Sequence, residues 1–97
     1  MIRIFIFSYA GDAGEATACV RCARMAVPCA SVTVVDDASH PVREETAEVL
    51  RSMGAEYVQS SWERHGNLRG PDCIRGMLSE MCREAGDDDI LVKVDCD

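Results

Sequence analysis

The chain has 97 residues, with ten basic and seventeen acidic side chains and a net charge of -7 at neutral pH. This length fits one small domain, and the acidic balance argues against nucleic acid and anionic membranes as partners, because both require a basic surface. The apolar opening IRIFIFSYA is shorter than a bilayer span and lacks a signal-peptide cleavage pattern. We therefore expect no transmembrane segment, a cytoplasmic location and six cysteines that are free thiols.

The first half of the chain alternates between strand and helix patterns. Residues 2–7 (IRIFIF) predict a strand that is apolar on both faces, as in a central strand covered on each side. A helix is predicted over residues 15–27, before Pro28. Residues 31–35 (SVTVV) predict a second strand, followed by a second helix that Gly54 ends. The apolar side of this second helix is expected at Val42, Thr46, Val49 and Met53.

The second half continues the alternation. Residues 55–61 predict a third strand, a third helix is predicted between Pro71 and Gly86, and residues 90–94 (ILVKV) predict a fourth strand. The apolar side of the third helix is expected at Ile74, Met77, Leu78 and Met81. The order βαβαβαβ predicts an α/β fold, a Rossmann-like three-layer arrangement with a four-stranded parallel sheet and right-handed crossovers.

Polar side chains follow each predicted strand. Parallel strands end at the same edge of a sheet, and ligands of open α/β sheets bind at that edge, near the point where the strand order reverses. We therefore expect these side chains to share one rim of the molecule. They are Ser8, Tyr9 and Asp12 after strand 1, Asp36 and Asp37 after strand 2, Ser60, Ser61, His65 and Asn67 after strand 3, and Asp95 and Asp97 after strand 4.

The aspartates of this rim suggest a metal site. Clustered carboxylates repel one another unless a cation or hydrogen-bond donors compensate their charge, and ligand sets made only of oxygen select hard cations such as Mg²⁺, Mn²⁺ or Ca²⁺. Two carboxylates hold such an ion weakly, so a phosphate-bearing ligand would complete its coordination. The pattern predicts a divalent ion that bridges aspartates of this rim, among Asp36, Asp37, Asp95 and Asp97, and a diphosphate.

Four segments in order, IFSYAGD, VTVVDDAS, NLRGPDCIRG and VDCD, carry a resemblance to a known family. They resemble the first strand and nucleotide loop, the second strand with its Val-Asp-Asp ending, the Asn-x-x-Gly-Pro segment and the Asp-x-Asp motif of family 2-type glycosyltransferases with the GT-A fold. The resemblance covers all 97 residues. It implies the strand order 3-2-1-4 and a single nucleotide-sugar-binding domain over residues 1–97. This domain would be the N-terminal half of such an enzyme, apparently truncated at the Asp-x-Asp motif.

The resemblance also implies how a nucleotide would be held. Tyr9 would pack on or beside the base, and Asp37 would accept a hydrogen bond from it. Asn67 and Gly70 would line the nucleotide pocket, and Arg75 would approach the base or the sugar phosphate. The expected ligand is a nucleotide-diphosphosugar of the UDP or GDP type.

The Asp-x-Asp motif would complete the site. Asp95 would contact the ribose or sugar, and Asp97 with Asp95 would hold Mn²⁺ or Mg²⁺ together with the nucleotide diphosphate. The general base and the acceptor-binding wall of the family would follow residue 97, so the chain is expected to bind donor without turnover, and its catalytic residues stay unassigned. Gly76 and Ile74 depart from the family pattern, which usually has Asn and often has Ala at those places.

Two other functions stay open. A receiver-like signalling domain also binds Mg²⁺ through aspartates at strand ends, although its acidic pair should follow strand 1, where this chain has SYAGD. A non-catalytic α/β interaction module is the third reading. Strand 4 would be a bare edge in the order 3-2-1-4, which predicts a homodimer through that edge. Lys93 in this strand either neutralises nearby aspartates or protects the edge.

Overall fold

The computed structural model describes residues 1–60, 62 and 70–96, with only the backbone of Asp12. Strands and helices alternate along the chain as the sequence predicts, and most of their ends fall within about two residues of the predicted ones. A short 3₁₀ helix at Ala10–Asp12 precedes the first α-helix. The elements are β1 (Ile2–Ser8), α1 (Ala13–Ala26), β2 (Ser31–Asp36), α2 (Glu44–Ser52), β3 (Glu56–Gln59), α3 (Pro71–Cys82) and β4 (Ile90–Asp95).

The four strands form one parallel sheet in the order β3-β2-β1-β4, so the α/β fold predicted from the sequence is confirmed. β1 lies between β2 and β4. At its carboxyl end Ser8 is opposite Asp36 of β2, and Phe7 is opposite Asp95 of β4. The chain steps outward from β1 to β3 and then returns to the other side of β1, which puts the reversal of strand order between β1 and β4.

β1 has this central position because both of its faces are apolar. Ile4 and Ile6 pack into a cluster with α1 and α2, whereas Phe5 and Phe7 pack against α3 on the other face. Phe7 and Ile6 have no exposed surface, and complete burial of such a side chain contributes about 1.5–3 kcal/mol. Two helices on one face and one on the other give three layers.

The helices bury slightly different sides from those expected. In α2 the buried residues are Ala47 and Leu50, while Val49 is 47% exposed. In α3, Met77 and Met81 are buried as predicted, but Ile74 and Leu78 are 44% and 55% exposed. Cys73, Met77 and Met81 recur every four residues and face the sheet together, and the next residue along the helix is turned by about 100°. The expectation for these exposed residues was therefore wrong.

Local contacts fix the ends of several elements. Gly54 follows α2 with a φ of 87°, a conformation that favours glycine, which confirms its predicted role at the helix end. Asp89 accepts a hydrogen bond from Gly86 N at 2.8 Å and pairs with Arg3 Nε at 3.0 Å and with the N-terminal amine at 3.2 Å. The Gly86 hydrogen bond and then the N-terminal amine lower the pKa of Asp89. These contacts tie the start of β4 to β1.

Two further predictions concern the chain as a whole. All six cysteines lie in the described part of the chain and are free thiols, as expected. Cys19 packs against the α1 side of the core, where free cysteine behaves as a small apolar side chain. None of the helices in the described ranges is both long enough and apolar enough to span a membrane.

Candidate functional site

The carboxyl ends of β1 and β2 are joined by hydrogen bonds. Ser8 Oγ donates to Asp36 Oδ1 at 3.0 Å, and Asp37 N donates to the carbonyl oxygen of Ser8 at 3.0 Å. Ser60 N, after β3, donates to the carbonyl oxygen of Asp36 at 2.7 Å. The structure therefore brings four residues of the predicted rim together at one edge of the sheet.

Asp36 is the centre of this network. Its side chain has no exposed surface, and besides Ser8 it accepts hydrogen bonds from Val42 N at 2.8 Å and from Tyr57 Oη at 2.5 Å, both on Oδ2. A buried carboxylate is costly unless donors compensate its charge, and here three protein groups do so. We infer that Asp36 holds the ends of the strands together, and direct nucleotide binding by Asp36 stays a prediction.

Tyr57 was not expected at the site, and it supplies one of these three donors. Burial of the ring, followed by the hydrogen bond to Asp36, raises the pKa of Tyr57 to about 12. The hydroxyl is therefore protonated at neutral pH and can donate. The Arg51 guanidinium lies 5.1 Å from the centre of the Tyr57 ring, and a hydrogen bond to Glu44 raises the pKa of Arg51. No sequence motif indicates the Tyr57–Asp36 contact, because it depends on the register of β2 and β3.

Asp37 stabilises the turn that follows β2. Its Oδ1 accepts a hydrogen bond from Ser39 N at 2.9 Å, and its carbonyl oxygen accepts one from His40 N at 3.1 Å. Aspartate commonly closes turns in this way. The Asp37 side chain has no exposed surface, so the predicted contact with a base requires neighbouring groups to move. That contact stays a prediction.

Tyr9 is the accessible residue at the end of β1. Its side chain is 37% exposed, and its ring lies so close to Gly11 that an added Cβ there would be 2.8 Å from a ring atom. Ala10 N donates to the carbonyl oxygen of His40 at 2.7 Å, which braces this loop against the turn after β2. A partly exposed ring at this position fits the predicted role of Tyr9 beside a base. Asp12 lies in the adjoining 3₁₀ helix, and its side chain is outside the described residues.

Asp95 stands at the other side of the strand reversal. Lys93 Nζ donates to Asp95 Oδ1 at 2.8 Å and to Oδ2 at 2.9 Å, and it also lies 6.0 Å from the centre of the Phe7 ring. The Asp95 side chain is 38% exposed. Lys93 thus neutralises an aspartate, which is one of its two predicted roles, and it does so on an edge strand. Asp97, the predicted metal ligand, lies outside the described residues.

The metal prediction can be compared with the donors present. Within residues 1–60, 62 and 70–96, no group of three or more His, Cys, Asp or Glu side chains could hold a metal ion. Asp36 is on the far side of β1 from Asp95, and Lys93 contacts both oxygens of Asp95. The described donors do not by themselves form a cation site. Binding of Mn²⁺ or Mg²⁺ stays a prediction that depends on Asp97 and on the oxygens of a diphosphate.

The segment before α3 joins the rim through Ser60. Ser60 Oγ accepts a hydrogen bond from Ala38 N at 3.1 Å and donates to the carbonyl oxygen of Trp62 at 2.9 Å. The Trp62 ring covers Gly76 of α3, where an added Cβ would clash with Trp62 Cδ2. This contact gives a physical reason for Gly76 at a place where the resembling family usually has Asn.

The remaining predicted residues are less closely tied to the site. Gly70 is the N-cap of α3, and its carbonyl oxygen accepts a hydrogen bond from Ile74 N at 2.9 Å. The Arg75 side chain is 78% exposed and lies 3.7 Å from Asp72. Asn67, with Ser61 and His65, is among the residues that are not described.

Comparison with known proteins identifies no relative of the chain. The chain matches no protein-family model, no curated protein and no solved structure. The functional argument therefore uses the strand order, the hydrogen-bond network around Asp36, and the exposed Tyr9 and Asp95 side chains. The network joins β1, β2 and β3, and the two exposed side chains lie on either side of the strand reversal.

Proposed function

We propose that the chain binds the nucleoside-diphosphate part of a UDP- or GDP-type nucleotide sugar at the carboxyl edge of the sheet. It would do so as the N-terminal portion of a family 2-like, GT-A glycosyltransferase. The observation that carries the proposal is the strand order β3-β2-β1-β4, which puts the reversal between β1 and β4. Ligands of open α/β sheets bind at this reversal, and Tyr9 and Asp95 flank it with partly exposed side chains.

The structure around this edge favours binding of an anionic ligand, although the chain as a whole is acidic. α1 and α3 both begin at the carboxyl edge, because each follows a strand of a parallel sheet, and they lie on opposite faces. A helix N-terminus carries partial positive charge and unpaired backbone N–H groups, both of which favour phosphate. The net charge of -7 would otherwise repel a diphosphate.

The described residues have separate roles in this proposal. Tyr9 would offer a ring face to the base, and Asp95 would accept hydrogen bonds from ribose or sugar hydroxyls. The network around Asp36 would hold the ends of β1 and β2 in place before the ligand arrives, which reduces the cost of ordering the site. A bound Mn²⁺ or Mg²⁺ would supply neutralisation of the leaving diphosphate. Sugar transfer requires an acceptor site and a general base, so we propose donor binding rather than turnover.

The receiver-like alternative is less well supported. Signalling domains of the doubly wound type have the strand order 2-1-3-4-5, whereas β3 here pairs with β2. An interaction module is favoured by a different feature, the exposed Ile90 and Val92 side chains of β4.

Thermal unfolding with UDP, GDP and CDP, each with and without Mn²⁺, tests the proposal. A ligand that binds only the folded chain stabilises it by about 2.7 kcal/mol at one hundred times its Kd, so UDP or GDP should raise Tm in the presence of Mn²⁺. Mn²⁺ without nucleotide is the control for non-specific effects of the metal. Absence of a shift with every nucleotide contradicts the proposal.

Two variants of Tyr9 locate the binding. Tyr9→Ala removes the stacking surface, which is worth about 1–3 kcal/mol per base in stacking sites, and should reduce the nucleotide-induced shift. Tyr9→Phe keeps the ring and should retain most of it. The Tm of each variant without nucleotide shows whether the loop is still folded. An equal shift in Tyr9→Ala and in the wild type contradicts the assignment of the base to this rim.

A further inference from the structure

The backbone of Tyr9 is held on both sides by the turn that follows β2. Before Tyr9, the carbonyl oxygen of Ser8 accepts a hydrogen bond from Asp37 N at 3.0 Å. After it, Ala10 N donates to the carbonyl oxygen of His40 at 2.7 Å. The position of the Tyr9 ring therefore depends mainly on rotation about the bonds of its own side chain.

Gly11, in the 3₁₀ helix after Tyr9, limits this rotation. A Cβ added to Gly11 would be 2.8 Å from Cε2 of the Tyr9 ring, 2.9 Å from Cζ and 2.9 Å from Oη. These three atoms form the hydroxyl end of the side chain, and Cζ is the middle one. A Cβ in the plane of the ring would be distinctly farther from Cζ than from the two outer atoms. The nearly equal distances therefore show that one face of the ring lies over Gly11.

The space at Gly11, rather than its backbone conformation, is what requires glycine. In the part of the chain that the structure describes, Gly54 is the one glycine with a positive φ, so alanine can adopt the backbone of Gly11. Carbon atoms in van der Waals contact are about 3.5–4.0 Å apart, so the Cβ of an alanine would displace the ring. Tyr9 is 37% exposed, and its ring can swing outward at little cost in stability.

We propose that Gly11 is a positioning residue, which holds one face of the Tyr9 ring so that the opposite face is presented to the heteroaromatic base of a nucleotide. The inference rests on the proposed function, in which Tyr9 packs beside the base. A ring that is already in place does not have to be ordered when the ligand arrives. Ordering one side chain on binding costs about two- to tenfold in affinity, which is the advantage that Gly11 supplies.

Calorimetric titration of the full chain with UDP or GDP in the presence of Mn²⁺ tests the inference. Gly11→Ala should bind the nucleotide about fivefold more weakly than the wild type. Its Tm without nucleotide should be unchanged or slightly higher, because replacing glycine at a compatible backbone position reduces the entropy of the unfolded chain. A purely structural role of Gly11 would instead lower this Tm and leave the affinity of the folded chain unchanged.

Gly86→Ala is the matched control. Gly86 is an exposed glycine between α3 and β4, and the nearest atom to an added Cβ there is 3.5 Å away, an ordinary contact distance. Because this turn precedes β4, it lies at the edge of the sheet opposite Tyr9. The Gly86→Ala variant should bind the nucleotide like the wild type.

A double-mutant cycle determines whether Gly11 acts through Tyr9. Tyr9→Ala has no ring to displace, so the addition of Gly11→Ala should leave its affinity unchanged. The contact itself can be checked without nucleotide by NMR. A proton over the face of an aromatic ring resonates upfield, so an Hα resonance of Gly11 should be upfield in the wild type and move downfield in Tyr9→Ala.

The outcomes separate this inference from the proposed function. A wild type that binds neither UDP nor GDP contradicts the proposed function, and the inference with it. If the wild type binds nucleotide, the inference alone is overturned by wild-type affinity in Gly11→Ala, by an equal loss of affinity when Gly11→Ala is added to Tyr9→Ala, or by Gly11 Hα resonances that Tyr9→Ala does not move.

Discussion

The ends of β2 and β4 look alike in the sequence, where VVDD and KVDCD each place aspartates after an apolar strand, but they differ in the structure. Asp36 has no exposed surface and accepts from three protein groups. Asp95 is 38% exposed and contacts Lys93 of its own strand. The difference follows from strand order, because β2 has a neighbour on each side. Ser8 of β1 and Tyr57 of β3 both reach Asp36.

This comparison divides the rim into two parts. The β2 part supplies the donors that a buried carboxylate requires, so its aspartates stabilise the fold. At the β4 part, the residue opposite Asp95 in β1 is Phe7, which has no polar side-chain group to offer. Asp95 therefore keeps an exposed carboxylate that a ligand or a second chain can reach. Substitutions in the β2 part should therefore change stability, and substitution of Asp95 should change ligand binding.

The largest expected effect is that of Asp36→Ala. It removes the acceptor of Ser8 Oγ, Val42 N and Tyr57 Oη, and each buried group left without a partner costs about 1–3 kcal/mol. A total of about 3–5 kcal/mol is a large part of the stability of a small domain, so urea unfolding followed by circular dichroism should show a chain that is largely unfolded in water.

Asp36→Asn keeps one acceptor oxygen and should show a smaller loss, which remains measurable if Asp36→Ala does not fold. Asp87→Ala, at an exposed aspartate in the turn before β4, is the matched control and should stay within about 0.5 kcal/mol of the wild type. Equal stability of the Asp36 and Asp87 variants would show that the network around Asp36 contributes little.

Gly76→Ala should have the next largest effect. Alanine is favoured over glycine within a helix by about 1 kcal/mol, but its Cβ would clash with Trp62 Cδ2, and such overpacking costs about 1–3 kcal/mol. We expect a net loss of stability and a changed fluorescence of Trp62, the single tryptophan of the chain. Gly14→Ala in α1, where nothing lies within 4 Å of the added Cβ, should instead increase stability. Stabilisation by both substitutions would contradict the Trp62–Gly76 contact.

Tyr57→Phe should cost less, about 1 kcal/mol, since it removes one hydrogen bond to a charged group from a partly exposed ring. The pH dependence of the unfolding free energy is a more specific test of this hydrogen bond. The pKa of Tyr57 is raised from 10 to about 12 by folding, so its contribution is fully present below pH 10 and is lost as pH rises towards 12. Wild type and Tyr9→Phe should show this decline in unfolding free energy, and Tyr57→Phe should lack it. A decline of the same size in Tyr57→Phe would show that ionisation of Tyr57 does not cause the decline.

Much of the fold could be predicted from the sequence, because periodicity reports which faces are apolar. The two apolar faces of IRIFIF predicted the central position of β1, and the resemblance supplied the strand order. Periodicity does not predict the buried side of a helix that has two adjacent apolar stripes, because it does not indicate which stripe faces the sheet. Ile74 and Leu78 form one such stripe of α3, and the other stripe, which faces the sheet, is Cys73, Met77 and Met81.

The candidate site was less predictable for a different reason. The placement of aspartates at strand ends follows from the parallel sheet, so Asp36 and Asp95 could be assigned to one rim. Whether an aspartate is buried depends on donors from distant parts of the chain. Tyr57 is 21 residues from Asp36 and reaches it only through the pairing of β2 with β3, a register that no local pattern specifies.

The division between the two parts of the rim is tested most directly by the thermal unfolding of Asp95→Asn, with and without UDP or GDP and Mn²⁺, at one protein concentration. Without nucleotide, the variant should unfold like the wild type to within about 0.5 kcal/mol, because exposed ion pairs contribute little. With nucleotide, its stabilisation should be smaller, corresponding to affinity that is about tenfold weaker, or about 1.4 kcal/mol. An unchanged nucleotide-induced shift, or a loss of stability without nucleotide as large as that of Asp36→Asn, would contradict the account.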